Sequence, residues 1–358
     1  MSPQLHAAEH ASGARFVRIA DREVPAGFGD TETEWAAVRH RCGLLDAGYR
    51  GLLRMCGADR MSFLHGMLSN DVASLREGNG TYAALLTQQG KVVSDLRVYV
   101  LPDELWLDVP AERLGTVRAA LERYVVADDV EWTGGDDWGP LVAIEGPRAA
   151  ATVQAVTGEA VTDLQLFAHR ELPCAGSRVR VVAASQSGER GYVLFGNPDA
   201  GASVWERCRA AGAEPVGMEA LDVLRIEAGV PWYGRDMDDS TLLSEVGLDA
   251  AISRTKGCYL GQEVVERVAS RGQVQRRLVG LVCEGRSVPP AAAKLKRDGQ
   301  EVGWITSAAW SPARQAVIAL GYARREYWDP GSAVHVASGD ANLAANVVAL
   351  PFYRSPHA

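Results

Sequence analysis

The order of apolar and polar positions along the first part of the chain predicts both strands and helices. Tyr82 to Leu86 and Val92 to Leu101 are β-type runs joined by a Gln-Gln-Gly-Lys turn, which predicts a hairpin. Apolar residues at helical spacing predict helices over Asp59 to Leu68 and Glu112 to Tyr124. Strand and helix signals in irregular order are typical of an α+β layered domain.

The pattern changes twice further along the chain. A strand is predicted from Leu141 to Glu145, after a connection rich in Gly, Asp and Trp, so a domain boundary is expected at residues 138 and 139. From Leu278 onward, short β-type runs separated by turns predict a small C-terminal β-barrel. The expected division is a disordered tail (1–15), two α+β parts (16–138 and 139–272) and the barrel (273–358).

Length, composition and charge narrow the class of protein. With 358 residues, of which 47% are hydrophobic, two or three packed domains are expected. The formal net charge of -8 makes nucleic acid an unlikely partner, because such binders usually carry a basic excess. No run approaches the roughly 18 to 20 consecutive apolar residues that cross a bilayer, and the N-terminus lacks the features of a signal peptide. We therefore expect a cytoplasmic protein with no membrane partner.

The cysteines are scattered rather than paired. None of the six forms a C-x-x-C pair, so the spacing encodes neither a zinc ribbon nor a ferredoxin-type cluster. The seven histidines are too dispersed to indicate a metal cluster or a catalytic triad. Reduced thiols in the cytosol fit this pattern, and no metal ligand is predicted.

The most distinctive segment is an octapeptide with two glycines around a cysteine. Its residues are Lys256, Gly257, Cys258, Tyr259, Leu260, Gly261, Gln262 and Glu263. The glycines permit a tight turn, and a helix is predicted from Gln262 to Val268. Cys258 would then precede a helix N-terminus and follow Lys256 by two residues, and both features favour a thiolate. A small buried cysteine is the alternative that spacing leaves open.

A second candidate is the end of the helix predicted over Glu219 to Ala228. Glu227 lies near the C-terminus of that helix, where the macrodipole disfavours an anion. A ligand that donates hydrogen bonds would offset this cost. A solvated glutamate paired with a nearby arginine is the alternative.

These segments resemble a known family. Arg39 to Asp46, Gly57 to Gly90, Leu224 to Tyr233 and Leu350 to Tyr353 are similar to the aminomethyltransferase of the glycine cleavage system. The resemblance covers nearly the whole chain after about Phe16. It implies a three-domain ring around a central folate site, with a C-terminal β-barrel. The octapeptide is similar to the signature of the YgfZ branch of this family, which serves in iron–sulfur cluster assembly and repair.

The resemblance also implies a ligand and residues to hold it. The ligand would be tetrahydrofolate or one of its one-carbon derivatives. In the family, a glutamate at the position of Glu227 holds the pterin ring, since a carboxylate can accept two hydrogen bonds from it. Tyr233 belongs to the same folate-contacting segment. The anionic tail of folate would need a cation near the mouth, for which Arg225, Arg254 and Arg354 are the candidates.

Two departures from the transferase pattern put aminomethyl transfer in doubt. Ser94 replaces one carboxylate of an expected aspartate pair and leaves only Asp95. Pro110 replaces an asparagine and has no amide hydrogen to donate to folate. On these grounds the chain is not expected to be an active aminomethyltransferase.

Three functions remain open. The first is a tetrahydrofolate-binding accessory protein for synthesis or repair of iron–sulfur proteins, with Cys258 as the working residue, Lys256 tuning it, and client or assembly proteins as partners. The second is a folate-dependent aminomethyl or methyl transferase with Asp95 as the acid/base group. The third is a partner in tRNA modification with a basic patch of four arginines: Arg267, Arg271, Arg276 and Arg277. The octapeptide favours the first, Asp95 keeps the second open, and the acidic charge weighs against the third.

Overall fold

A computed structural model describes residues 3–134, 137–271, 274–338 and 341–356. Within these ranges the chain forms a hairpin, two larger sheets, a closed barrel and the helices that pack on them. The α-helices are α1 (Pro3–Ala11), α2 (Thr31–His40), α3 (Arg60–Met67), α4 (Leu114–Glu122), α5 (Ala149–Thr157), α6 (Gly201–Ala210), α7 (Met218–Glu227), α8 (Leu243–Val246) and α9 (Gln262–Arg271). The predicted α+β class with a C-terminal barrel is confirmed.

The N-terminal residues form helix α1 instead of the predicted disordered tail. Leu5 is buried in the same hydrophobic core as Trp205 of α6. This apolar contact stabilises a helix that the Ala- and His-rich sequence alone did not indicate, because its partner lies about two hundred residues away. Strands β1 (Arg15–Ile19) and β2 (Arg22–Gly27) follow as an antiparallel hairpin.

A five-stranded antiparallel sheet forms the first large layer. Its spatial order is β5 (Gly80–Leu86), β6 (Val92–Val100), β7 (Leu105–Pro110), β4 (Arg50–Cys56) and β8 (Glu131–Thr133), so the predicted hairpin of β5 and β6 is confirmed. On one face, Leu96 and Val98 pack in a core shared with α3 and α4. Since successive side chains of a strand point to opposite faces, Asp95 and Arg97 lie on the other face.

A six-stranded sheet forms the second large layer. Its spatial order is β10 (His169–Cys174), β11 (Ser177–Ala183), β12 (Gly191–Gly196), β9 (Gly139–Glu145), β3 (Gly43–Asp46) and β13 (Glu214–Pro215). Strand β3 pairs with β9. The first part of the chain therefore contributes a strand to the second sheet across the predicted boundary at residues 138 and 139.

The barrel closes through the pairing of its first and last strands. Its strands are β14 (Arg276–Cys283), β15 (Lys294–Arg297), β16 (Gln300–Ser311), β17 (Ala316–Arg324), β18 (Ala333–Ser338) and β19 (Ala341–Val348). Helix α7 contacts β16 and joins the barrel to the rest of the molecule. None of the helices in the described ranges is long and apolar enough to cross a membrane.

Candidate functional site

A cavity of about 530 Å³ lies over the polar face of the five-stranded sheet. Further lining comes from the β1–β2 hairpin and from residues 229–235, which follow α7. Residues 166–167 and 185–186 also contribute. Among the described residues, those of the barrel do not line it. The volume is within the usual range for small-molecule sites.

Asp95 on β6 lines this cavity and has one carboxylate oxygen without a partner in the described chain. The Tyr82 hydroxyl donates a hydrogen bond to Asp95 Oδ2 at 3.1 Å. Asp95 Oδ1 is enclosed and has no hydrogen-bond partner in the described part of the chain. Burial, reinforced by the Asp95 carboxylate, raises the pKa of Tyr82 well above its usual value, so Tyr82 remains a donor. Because an unmet buried acceptor is costly, Asp95 stands out as a functional candidate within the lining.

Two arginines share one carboxylate beside Asp95. Arg50 Nε donates to Asp108 Oδ1 at 2.6 Å, and Arg97 Nη1 donates to Asp108 Oδ2 at 3.2 Å. Tyr99 also donates to Oδ2, at 3.1 Å. Arg50 and Arg97 line the cavity, and each is 5% exposed. The wall therefore carries more positive charge than Asp108 neutralises.

Aromatic rings supply flat surfaces around the cavity. Tyr49 and Trp232 stack with centroids 5.7 Å apart, and Tyr82 and Phe167 stack at 6.4 Å. Tyr233, which the sequence indicated, also lines the cavity, and the Arg113 guanidinium lies 4.3 Å from the centre of its ring. Such surfaces suit the faces of a planar heterocycle.

The mouth of the cavity carries exposed charged residues. Arg18 and Arg235 line it there, together with Glu112. Arg235 pairs with Asp222 at 2.8 Å. The guanidinium group of Arg18 has no hydrogen-bond or ion-pair partner within the described ranges, so its charge is available to an anionic group that enters the cavity.

Glu227 does not line this cavity, so the pterin contact predicted for it has no counterpart there and stays a prediction. Its Oε2 accepts hydrogen bonds from Trp35 Nε1 at 2.9 Å and Arg39 Nη2 at 2.7 Å. Its Oε1 accepts from the Ser311 hydroxyl at 2.5 Å and the Ala313 amide at 3.3 Å. These partners satisfy an anion that the helix dipole disfavours. The fully buried carboxylate joins α2, α7 and the barrel.

The three arginines predicted for the anionic tail of folate also lie outside the cavity lining. Arg225 is fully buried and donates to the Ser307 hydroxyl at 2.6 Å, besides pairing with two aspartates. Arg254 is exposed and pairs with Asp249 at 3.1 Å. Arg354 is exposed near the chain end. The side chain of Arg225 extends from α7 toward the barrel, away from the cavity lining.

The octapeptide forms a loop that leads into α9, and the predicted helix is confirmed. Cys258 is exposed, whereas Cys42, Cys174, Cys208 and Cys283 are buried and Cys56 is intermediate. Gly261 has φ +82°, and a Cβ there would lie 2.5 Å from the carbonyl oxygen of Thr87, so only glycine fits this close approach. The alternative of a buried Cys258 is wrong.

Lys256 holds this loop against the first sheet. Its Nζ donates to the carbonyl oxygens of Leu68 at 2.7 Å and Asn70 at 3.0 Å, and also to that of His65. Burial lowers the pKa of Lys256 to about 8. The ammonium is 5.1 Å from the ring centre of the buried Tyr259. All three donors of Lys256 are therefore engaged by backbone, not by the thiol.

The remaining residues of the octapeptide support the start of α9. The Gln262 side chain accepts a hydrogen bond from the Tyr259 amide at 3.3 Å. Glu263 is exposed in the first turn, and Gly257 is exposed beside Cys258. These contacts are local and do not reach the cavity lining.

Two of the four arginines of the predicted basic patch lie against aromatic rings, and Arg267 is exposed. The Arg276 guanidinium lies 4.9 Å from the Trp304 ring centre and pairs with Glu245 at 3.1 Å. Arg277 lies 5.2 Å from the ring centre of Trp328. The side chain of Arg271 lies outside the described structure.

Most residues that line the cavity were not among the candidates from the sequence. Tyr82, Arg97 and Asp108 lie directly opposite one another on β5, β6 and β7. A signal was present, because Asp95, Arg97 and Tyr99 alternate with apolar residues on a predicted strand. Charged residues at alternate positions of an otherwise apolar strand indicate a polar site on one sheet face.

Family models match most of the chain in the same order as its structural layers. Residues 5–256 match the GCVT N-terminal domain, and residues 276–354 match the glycine cleavage T-protein C-terminal barrel domain. The chain belongs to the glycine cleavage T-protein family. Proteins of this family use tetrahydrofolate.

Relatives agree with this assignment over their full length. An aminomethyltransferase of Prochlorococcus marinus (strain MIT 9313) is 30% identical over 98% of this chain and 97% of that protein. An aminomethyltransferase of Synechococcus sp. (strain WH7803) is 32% identical, with 98% of each chain covered. The crystal structure of glycine cleavage system aminomethyltransferase T from Bartonella henselae has a TM-score of 0.91 and 23% identity, covering 99% of this chain and 98% of that one. These relatives bear the transferase name and not that of the iron–sulfur branch.

Proposed function

We propose that this protein is a folate-dependent one-carbon transferase that works in the cavity beside Asp95. The observation that carries the proposal is the enclosed Asp95 Oδ1, which has no partner within the described ranges while Oδ2 is held by Tyr82. A carboxylate so arranged is suited to exchange a proton with a reacting amine. The family membership and the transferase names of the relatives support the same function.

The cavity has features that fit tetrahydrofolate. The stacked pairs Tyr49–Trp232 and Tyr82–Phe167 offer faces for the pterin ring. Asp95 Oδ1 offers an acceptor for one of its N–H groups. Arg18 and Arg235 at the mouth offer positive charge for the anionic tail, in place of the three arginines first expected. When bound, tetrahydrofolate supplies the nitrogen atoms that carry the one-carbon unit.

The chain's own residues then have separate tasks. Asp95 takes the proton released at the attacking nitrogen as the new C–N bond forms, and returns it to the departing amine as the old C–N bond breaks, so the one-carbon unit keeps its oxidation level. Tyr82 fixes Oδ2 and keeps Oδ1 directed to the reaction. The raised pKa of Tyr82 preserves this hydrogen bond across the neutral range. The aromatic walls exclude water from the carboxylate, which is 8% exposed.

The two departures from the transferase pattern have unequal weight. Ser94 is fully buried, does not line the cavity, and donates its hydroxyl to the Asp95 carbonyl oxygen at 2.8 Å. A carboxylate at position 94 would therefore not line the cavity. Pro110 does line the cavity and has no N–H. We therefore expect the reactants to be oriented differently here than in an aminomethyltransferase with an asparagine.

The test is one-carbon transfer with the Asp95→Asn variant, which preserves shape but cannot accept a proton. We expect the rate to fall by about 100-fold or more, the usual contribution of an acid/base group. Tetrahydrofolate affinity, measured by calorimetry, should change only several-fold. Asp103→Asn, in the exposed β6–β7 turn, is the control. Failure of the native protein to bind tetrahydrofolate, or full activity of Asp95→Asn, refutes the proposal.

A second candidate function is an accessory role in synthesis or repair of iron–sulfur proteins. One observation favours it: Cys258 is an exposed thiol in a loop whose shape is held by Lys256 and Gly261. An accessible thiol can exchange with a disulfide or persulfide, or ligate iron transiently. In this role Lys256 shapes the loop instead of tuning the thiol.

This second function is tested in a strain that lacks the protein. Cys258→Ser should fail to restore the activity of iron–sulfur enzymes, whereas Cys56→Ser should restore it. Asp95→Asn separates the two candidates, because it should abolish one-carbon transfer and leave this rescue intact. Full rescue by Cys258→Ser removes the second candidate and leaves the first untouched.

A further inference from the structure

Two arginines of the cavity lining and the fully buried Asp108 form one cluster that spans three strands. Arg97 on β6 lies opposite Asp108 on β7, and Arg50 lies on the neighbouring strand β4. Asp95 is two residues before Arg97 and points to the same face. Both guanidinium groups lie near enough to Tyr82, the hydrogen-bond partner of Asp95, to act on its pKa electrostatically. Arg50, Arg97 and Asp95 all line the same cavity.

The hydrogen bonds of Asp108 are already fully committed. Arg50 donates to its Oδ1 and, from Nη2 at 2.8 Å, to its carbonyl oxygen. Arg97 and Tyr99 donate to its Oδ2. One carboxylate thus pairs with two almost wholly buried guanidinium groups, and Asp95, the other carboxylate beside them in the lining, forms an ion pair with neither of them in the described part of the chain.

Both arginines also keep unused donors. Arg50 Nη1 and Arg97 Nε make no hydrogen bond to any atom of the described chain. Neither nitrogen is fully enclosed by protein atoms. They therefore face open space, and the space that both residues line is the cavity. A buried arginine with unused donors is suited to a planar anion such as a carboxylate.

We propose that Arg50 and Arg97 form a subsite for a carboxylate, so that the amine-bearing reactant of this protein is a small amino acid. Its carboxylate lies on the two arginines and its amine is directed toward Asp95 Oδ1. A zwitterion matches both charges of the site, whereas a neutral or purely cationic amine leaves the unused donors of the arginines without an acceptor. The ligand's role as a reactant rests on the proposed function, but its binding does not.

The first test needs no variant. N-methylglycine and N-methylethanolamine share the same methylated amine and differ in carrying a carboxylate or a hydroxyl. By calorimetry on the full chain, we expect N-methylglycine to bind about tenfold more tightly or better, as for a charge-assisted contact. Equal affinity for the two compounds overturns the proposal.

Variants locate the effect. Arg97→Leu should remove the preference and leave tetrahydrofolate affinity within about threefold, while Arg118→Leu on the exposed face of α4 should change neither. If Arg97→Leu does not fold, Arg97→Lys keeps the charge without the planar fork and should reduce the preference several-fold. Asp108→Asn removes the carboxylate that both guanidinium groups share and should tighten N-methylglycine binding.

The outcomes separate this inference from the proposed function. Loss of tetrahydrofolate binding in Arg97→Leu, with the carboxylate preference unchanged, would mean that Arg97 holds the pterin and would overturn the subsite. A native protein that prefers N-methylglycine but does not bind tetrahydrofolate would keep the subsite and refute the transferase.

Discussion

Replacing Glu227 with alanine should destabilise the fold without weakening tetrahydrofolate binding. The change removes the acceptor for Trp35, Arg39 and Ser311 in a fully buried position. Removing one partner of a buried ion pair usually costs about 3 to 5 kcal/mol. Because Arg39 keeps its second partner, Glu189, at 2.8 Å, we expect the lower end, about 3 kcal/mol.

This loss is measurable in thermal unfolding. At about 2 °C per kcal/mol for a chain of this size, the midpoint should fall by about 6 °C. Glu219→Ala is the matched control, since Glu219 is an exposed glutamate of the same helix whose pair with Arg15 is on the surface. Its effect should stay below about 1 kcal/mol.

The same variants are titrated with tetrahydrofolate under conditions in which both are folded. Affinity within a few-fold of native is expected for Glu227→Ala, because Glu227 does not line the cavity. An unchanged unfolding midpoint together with a loss of affinity of about tenfold or more would refute the reasoning and restore the original role of Glu227 as a ligand of the pterin.

Three further predictions concern other parts of the molecule. Burial and the nearby Asp46 raise the pKa of Glu9 from 4.5 to about 9, so the folded state retains this proton and the free energy of unfolding should fall as pH rises through that window. In urea unfolding between pH 5 and 8.5, Glu9→Gln should flatten the dependence of that free energy on pH, and an identical dependence contradicts the prediction. Cys258 should react with iodoacetamide about tenfold faster than Cys56 near neutral pH, by peptide mass analysis, and equal rates would show that exposure does not govern reactivity. Lys256→Met should speed amide hydrogen exchange in residues 65–70 by about tenfold, because three carbonyl oxygens lose their donor. Unchanged exchange would show that Lys256 does not hold the loop against these residues.

Several features followed from the sequence because they depend on local pattern. Alternation over Val92 to Leu101 and helical spacing over Asp59 to Leu68 reproduced the strand and the helix that formed. The resemblance of separated segments indicated the family and the C-terminal barrel. Asp95 was also identified from the sequence, as the carboxylate retained next to Ser94.

Only the tertiary structure decided what each side chain meets. The sequence suggested a ligand as the partner of Glu227. In the structure its partner is Arg39, which is 188 residues away, and no local pattern encodes that contact. Arg50 and Asp108 share a site because β4 pairs with β7, which periodicity does not predict. A sequence specifies which face of an element is apolar, since that depends on spacing along one chain segment. The contents of a cavity depend on which distant segments pack together, and burial, charge pairing and free hydrogen-bonding groups are settled only there.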